Sequence, residues 1–205
     1  ALADGRLKTI PANDFTDLLT KPTLPEKYRP TMYDFIAHEA LGFYSSGEFA
    51  AAKPEDAFEV RASDPLLGPL DKFLAWVPQT TDTESPQFKA VRLYQDVLRF
   101  HRNDADSSAL NDIDILRLLH GKNIATGEGA NDRFVEAMQS IVEREPGPLS
   151  AWARYHWAQT LHADGDSVEA RRVAIAGRDA FPESRGGNRC HNLVAQIEGK
   201  SISVA

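Results

Sequence analysis

The second half of the chain repeats one pattern, in which apolar residues recur every three or four positions within successive segments. This spacing is typical of amphipathic α-helices, because 3.6 residues per turn bring such positions onto one face. The segments that carry it are residues 86–102, 111–120, 131–145, 149–163, 167–181 and 188–197. Their connections are short and rich in Gly, Pro, Asp and Asn, which are residues that interrupt helices. The fold class predicted from this succession is all-α.

In the first half of the chain the pattern predicts shorter helices, which prolines and glycines interrupt. Residues 13–20 indicate a short helix, residues 21–25 a proline-punctuated linker, and residues 70–77 a further helix. Thr31 followed by Asp34 three residues later has the arrangement of a capping box, which marks the start of a helix. These segments agree with the all-α prediction.

One pair of predicted helices resembles a tetratricopeptide unit, a helix hairpin that stacks on its neighbours. Between residues 151 and 182 the small residues Ala158 and Ala170 stand where two helices would cross, and Gly165-Asp166 provides the turn. Such a hairpin cannot bury both of its faces alone, so helices on either side must pack against it. We therefore expect stacked helix hairpins that form a right-handed α-α superhelix, with the tetratricopeptide-like unit near the C-terminus.

Composition limits the classes of function. The chain has 205 residues, 42% of them hydrophobic, and a formal net charge of -7. A domain of this size buries roughly 70% of the surface of its unfolded chain and needs no metal or disulfide for stability. No apolar run approaches the ~20 residues that span a bilayer, and an acidic chain lacks the cationic excess that drives nucleic-acid binding. We expect neither a membrane span nor a nucleic-acid partner.

The sequence carries no recognisable metal-binding or catalytic motif. The chain has 6 histidines, namely His38, His101, His120, His156, His162 and His191. None belongs to a His-Glu-x-x-His motif, and we interpret them as polar edges and cap positions. The Gly127-Glu128-Gly129 sequence has the look of a phosphate-binding loop but follows no predicted strand, so we interpret it as a turn before a helix capped by Asn131 or Asp132. No catalytic residue, cofactor or metal is predicted.

Cys190 is the only cysteine, which excludes an intramolecular disulfide and a cysteine metal cluster. Two interpretations of this residue remain open. A position near the start of a helix can lower the pKa of a thiol, whereas a buried cysteine packs as a small hydrophobic residue. Burial is the commoner explanation.

The most distinctive side chains for binding lie in the tetratricopeptide-like unit. Three aromatic rings there either line a ligand groove together or pack with two rings inside the hairpin and one at its rim, and we favour the second arrangement. Two adjacent arginines form a small basic patch with Arg178, which we interpret as a solvated face. The candidate interaction surface consists of Trp152, Tyr155, Trp157, Arg171 and Arg172.

Three parts of the chain, in order, resemble the N-terminal helical region of the bacterial alpha-2-macroglobulin family, the large extracellular α-helical proteins. The first is the stretch from Tyr28 to Tyr44, YRPTMYDFIAHEALGFY. The second is LYQDVLRFH, ending at His101, with the helix at residues 112–119. The third comprises the FPES, CHNL and QIE motifs between residues 181 and 198.

The resemblance implies a helical module of a large envelope protein, periplasmic or at the cell surface, whose relatives trap proteases. Some relatives hold a thioester in a Cys-x-x-Gln motif, but Cys190 is followed by His, Asn and Leu, so that site does not map onto this chain. On this basis we expect an excised segment without its signal peptide. It divides into an N-terminal extension and linker at residues 1–27, a helical domain at residues 28–200, and the start of a following β domain at residues 201–205.

The function predicted from these observations is that of a non-catalytic helical scaffold or protein-interaction module. Its expected partners are other domains of the same polypeptide and, through the full-length protein, proteases. Two alternatives stay open at this point. One is a helical carbohydrate-binding or glycoside-processing module built on the aromatic cluster, and the other is a stand-alone tetratricopeptide adaptor.

Overall fold

The computed structural model describes residues 2–15, 25–46 and 55–202. Within these ranges the chain is all-helical and no β-strand forms, which confirms the predicted fold class. The α-helices are α1 (Met32–Ser45), α2 (Leu70–Ala75), α3 (Pro86–His101), α4 (Ser108–Ile124), α5 (Ala130–Arg144), α6 (Leu149–Ala163), α7 (Ser167–Ala180) and α8 (Arg185–Ile202). Single turns of 3₁₀-helix lie at Gly5–Lys8, Ala12–Phe15, Glu26–Tyr28 and Pro65–Leu67.

The chain folds as two compact units, residues 1–126 and residues 127–205, which we call the N-terminal and C-terminal units. The boundary falls inside the stretch 28–200 that the sequence analysis treats as one helical domain. The expected helix at residues 13–20 is a 3₁₀ turn at Ala12–Phe15 where it is described, and most of the predicted linker lies outside the described residues. Helix α8 continues through Ile202, so the expected strand does not begin at Ser201, and residues 203–205 are outside the description.

The N-terminal unit is organised around α1, α3 and α4. Helix α1 begins with the predicted capping box, in which the Thr31 hydroxyl accepts a hydrogen bond from the Asp34 amide at 3.3 Å, and the Asp34 carboxylate accepts one from the Thr31 amide at 2.9 Å. These two bonds satisfy amides that a helix start leaves without partners. The apolar faces of the helices then bury a shared core that includes Ala37, Val97 and Ile113, each fully buried.

The C-terminal unit consists of α5 to α8, and its helices pack as consecutive hairpins. The α6–α7 hairpin is the tetratricopeptide-like pair expected from the sequence. Ala158 and Ala170 are fully buried in one cluster, and the connecting turn contains Gly165 with φ +97°, a left-handed conformation that suits glycine. Helix α8 packs against both α6 and α7, so it supplies the neighbouring helix that the hairpin needs.

The turn before α5 differs in detail from the expectation. Gly127 and Gly129 have φ values of +94° and +79°, which fits a turn between helices. The N-cap residue is Gly129, not the predicted Asn131 or Asp132. The Asn131 amide, two residues beyond the N-cap, instead donates a hydrogen bond of 2.8 Å to the Asp164 carboxylate at the end of α6.

Candidate functional site

A cluster of stacked rings and a guanidinium lies where α6 meets the start of α8. The Trp152 and Tyr155 rings stack with centroids 5.4 Å apart and planes 20° apart. The His156 ring meets Trp152 edge-on at 4.3 Å, and the Arg185 guanidinium lies 4.0 Å from the centre of the Trp152 ring. We call these four residues the aromatic–arginine cluster.

Close backbone packing places Arg185 over the tryptophan. The next residue, Gly186, approaches α6 so closely that an added Cβ would lie 2.2 Å from the Trp152 amide nitrogen. Such contact is possible only for a residue without a side chain. On α6, positions 152, 155, 156 and 159 lie three and four residues apart, so they share one face, and the Gln159 amide donates to the Tyr155 hydroxyl at 3.2 Å.

The third predicted ring does not join this cluster. Trp157 packs against the hydrophobic cluster of the C-terminal unit, as Tyr155 also does. Its indole nitrogen is buried, and among the described residues it has no hydrogen-bond partner. Only Trp152 and Tyr155 of the three rings therefore contact each other, and Trp157 is a half-buried residue that packs against the core.

The two predicted arginines lie apart from the rings and are paired with carboxylates. Arg171 bonds to Glu198 at 2.5 Å, and Arg172 bonds to Glu169 at 2.5 Å. Since all four side chains are at least one-third exposed, these pairs add little to stability. The patch is a solvated face whose charge is balanced locally.

The sequence analysis missed Arg185 and Arg189, which stand one helical turn apart on α8. Both are exposed, and among the described residues neither forms an ion pair. The distribution of charged residues in the sequence could have indicated these two arginines. Helix α6 contains no Asp or Glu, and the single carboxylate of α8, Glu198, is bonded to Arg171. The α6–α8 face is thus rich in cations on a chain whose net charge is -7.

Three histidines are buried inside the N-terminal unit, which corrects their interpretation as polar edges and caps. His101 is 2% exposed and bridges two carboxylates, with Nε2 2.7 Å from Asp34 and Nδ1 2.7 Å from Asp104. Burial alone would lower the pKa of His101, but the hydrogen bonds to both carboxylates outweigh it and raise the pKa above its ordinary value. Burial lowers the pKa of His38 to about 3 and that of His120 to about 4.

These polar groups hold the N-terminal unit together. Asp34 comes from α1 and His101 from the end of α3, so the bridge joins two helices at a buried point. Arg117 of α4 is also buried, bonded to Asp114 at 2.7 Å and donating to the Leu66 carbonyl at 2.6 Å. Among the described residues no three metal-ligating side chains group together. We assign this network a structural role.

Cys190 is fully buried and its thiol lies 3.6 Å from the Ala151 carbonyl oxygen. Burial raises its pKa to about 11, the opposite of the lowering that a helix start can produce. Packing is therefore the correct interpretation of the two that the sequence left open.

We expect Cys190 to react with a thiol reagent such as a disulfide-exchange probe far more slowly in the folded protein than in urea. The reagent attacks the thiolate, and the folded state both hides the sulfur and disfavours that form. Absorbance of the released chromophore measures the rate. Equal rates in folded and unfolded protein would contradict the burial of this side chain.

Among the shallow surface grooves of the described residues are one of about 470 Å³ and one of about 460 Å³. The first is lined by Arg178, Asp179, Pro182, Asn188 and His191. The second lies in the N-terminal unit and includes Tyr33, Tyr44, Phe88, Lys89 and Asp96. Neither groove is lined by a residue of the aromatic–arginine cluster or by Trp157.

Comparison with known proteins finds no matching family model, no similar curated protein and no similar solved structure. The resemblance to the alpha-2-macroglobulin family thus rests on the sequence motifs alone. None of the described helices combines the length and hydropathy needed to cross a bilayer.

Proposed function

We propose that this chain is a non-catalytic helical scaffold whose C-terminal unit is a protein-interaction module. The observation that carries the proposal is the aromatic–arginine cluster on paired α-helices. Trp and Arg side chains are enriched at the centres of protein interfaces, and here they stand on two packed helices, which hold them in fixed positions.

The rest of the unit supports a role in presentation. Helix hairpins that stack on one another repeat the same helix face, and such faces form the extended binding surfaces of helical repeat proteins. In the proposed setting the chain belongs to a larger envelope protein resembling the alpha-2-macroglobulin family, in the periplasm or at the cell surface. Its partners would be other domains of that polypeptide and, through it, proteases.

The carbohydrate-binding alternative is less well supported by the geometry. A sugar stacks on an open aromatic face, but Trp152 already contacts Tyr155, His156 and the Arg185 guanidinium. Trp157 packs against the hydrophobic cluster and, among the described residues, makes no ring contact with Trp152 or Tyr155, so it does not extend their surface. We therefore propose protein rather than sugar as the ligand of this surface.

The proposal is tested by capture from an envelope extract with the immobilised chain, compared between two variants. Trp152→Ser removes the central ring of the cluster, and Arg172→Gln is the control, because Arg172 is exposed and paired with Glu169 elsewhere on the unit. We expect the native chain and the control variant to retain at least one protein in similar amounts. The Trp152→Ser variant should retain at least tenfold less of that protein.

Two results would overturn the proposal. One is that every captured protein binds the Trp152→Ser variant as well as the native chain, although circular dichroism shows that the variant is folded. The other is turnover of a substrate by the purified chain that a single side-chain substitution abolishes.

A further inference from the structure

We propose that the aromatic–arginine cluster binds an acidic peptide segment in extended conformation, with two carboxylates two residues apart and an aromatic residue beside them. This inference rests on the proposed function and specifies the chemistry of its partner. It is carried by Arg185, which lies over Trp152, by Arg189 one helical turn further along α8, and by the lack of an unpaired carboxylate on the described residues of α6 and α8.

The arginines set the charge of the partner. Arg178, Arg171 and Arg172 of α7 each have a carboxylate within 2.7 Å. In contrast, Arg185 and Arg189 have no acidic partner among the described residues. An exposed guanidinium pairs well with a carboxylate, because its planar donors match the two oxygens.

Helix geometry sets the spacing. Residues 185 and 189 are four apart on α8, and a rise of 1.5 Å per residue separates them by about 6 Å along the helix axis. In an extended peptide, side chains two residues apart point to the same side at a distance of about 6.6 Å. Two acidic residues separated by one residue therefore meet the two guanidiniums in register.

The rings set the third requirement. Trp152 and Tyr155 are half-buried, so both residues keep some exposed surface, and the Arg185 guanidinium lies over Trp152. An aromatic side chain two residues from the first carboxylate would lie on the same side of the extended peptide and pack beside these rings, which needs no fully open ring face of the kind that a sugar needs. The resulting segment has an aromatic residue and two acidic residues at alternate positions.

The net charge favours a peptide over a nucleic acid. The arginines attract an anion only locally, since charges are screened beyond about 10 Å at moderate salt. A short peptide stays within that distance, whereas a polyphosphate chain would extend over the acidic remainder of a protein with charge -7. The same experiment decides between the two classes.

The test is fluorescence anisotropy with the full chain and the labelled heptapeptide Ser-Phe-Ser-Asp-Ser-Asp-Ser. We expect saturable binding that weakens when salt shortens the screening length from about 10 Å to about 3 Å. The matched peptide with Asn in place of both Asp residues should bind at least tenfold more weakly. A labelled single-stranded oligonucleotide should not bind.

Protein variants locate the site. The double variant Arg185→Gln/Arg189→Gln should bind the Asp peptide at least tenfold more weakly, and Trp152→Leu should also weaken it. Arg172→Gln removes one positive charge from the same unit and should leave the affinity within about twofold, because the site is local.

Absence of peptide binding, binding that is insensitive to the double variant, or binding of the oligonucleotide instead would each overturn the inference. The two proposals fail separately. A partner captured through Trp152 from the extract, together with no binding of the Asp peptide, would refute the acidic segment and leave the interaction module standing. A capture experiment in which no retained protein depends on Trp152 would refute the interaction module, whatever the result with the Asp peptide.

Discussion

Gly186→Ala should destabilise the C-terminal unit by about 3 kcal/mol or more. A Cβ at this position would lie 2.2 Å from the Trp152 nitrogen and 2.4 Å from the Ala151 carbonyl carbon. Both are backbone atoms of α6, which cannot rotate away as the end of a flexible side chain can. The start of α8 must therefore move off α6, and the packing between the two helices is lost.

The same helix offers a matched control in Gly199. An added Cβ there meets nothing within 4 Å, so Gly199→Ala changes only the backbone preference and should stabilise the unit by up to about 1 kcal/mol. Hydrogen exchange measured across a urea series, with peptides from residues 149–199, reports the free energy of unfolding for this unit. Equal effects of the two substitutions would show that α8 does not approach α6 at Gly186.

His101→Leu should destabilise the N-terminal unit by about 3–5 kcal/mol, the usual cost of removing one member of a buried ion pair. The substitution leaves the fully buried Asp34 carboxylate without the imidazole that stands 2.7 Å from it. Urea unfolding followed by hydrogen exchange of α1 and α3 peptides measures this loss.

Two further variants separate charge from packing at this site. Asp104 is 41% exposed, so Asp104→Asn should cost about 1 kcal/mol or less. Asp34→Asn in the His101→Leu background should recover part of the stability, because it removes the uncompensated charge while the amide oxygen can still accept the capping bond at Thr31. If the double variant is no more stable than His101→Leu alone, the loss does not arise from the carboxylate.

The pH dependence of this unit has two opposite components. The pKa of His101 is raised in the folded state, so its contribution to stability is complete below the ordinary value of about 6.5 and is lost as the pH rises through the higher folded-state pKa. The pKa values of His38 and His120 are lowered to about 3 and about 4. Their contribution is present above about pH 6.5 and is lost as the pH falls.

We therefore expect His101→Leu to lose the alkaline decline in stability and to keep the acidic one. Denaturant midpoints measured from about pH 4 to about pH 9, a range that extends to both sides of the ordinary histidine pKa of about 6.5, test this. The charged groups that act on His38 are Arg29, Asp34 and His101 itself, and those that act on His101 are Asp34 and Asp104. An unchanged alkaline decline in the variant would show that His101 is not its source.

Local signals in the sequence predicted most of the secondary structure. Helix α6 has the predicted bounds, since Leu149–Ala163 coincides with residues 149–163. The capping box at Thr31 and the small residues at the α6–α7 crossing were also predicted correctly. These features depend on residues within a few positions of one another, and for that reason they can be recognised without knowing the fold.

The N-terminal end of α8 was predicted less well. The sequence indicated a helix at residues 188–197, while the structure begins it at Arg185. The two consecutive glycines at 186 and 187 argue against a helix by propensity, but the absence of a Cβ is what allows α8 to contact α6. Tertiary packing here overrides local preference.

The sequence by itself determined the all-α class, the tetratricopeptide-like hairpin and the acidic character of the chain, because periodicity, turn residues and charge are local or additive properties. Only the tertiary structure decided which side chains share a surface. It joined Trp152 to Arg185 across 33 positions, packed Trp157 against the hydrophobic cluster of the C-terminal unit and paired Asp34 with His101 across 67 positions. Contacts between residues so far apart depend on how the helices pack, and no local pattern records that packing.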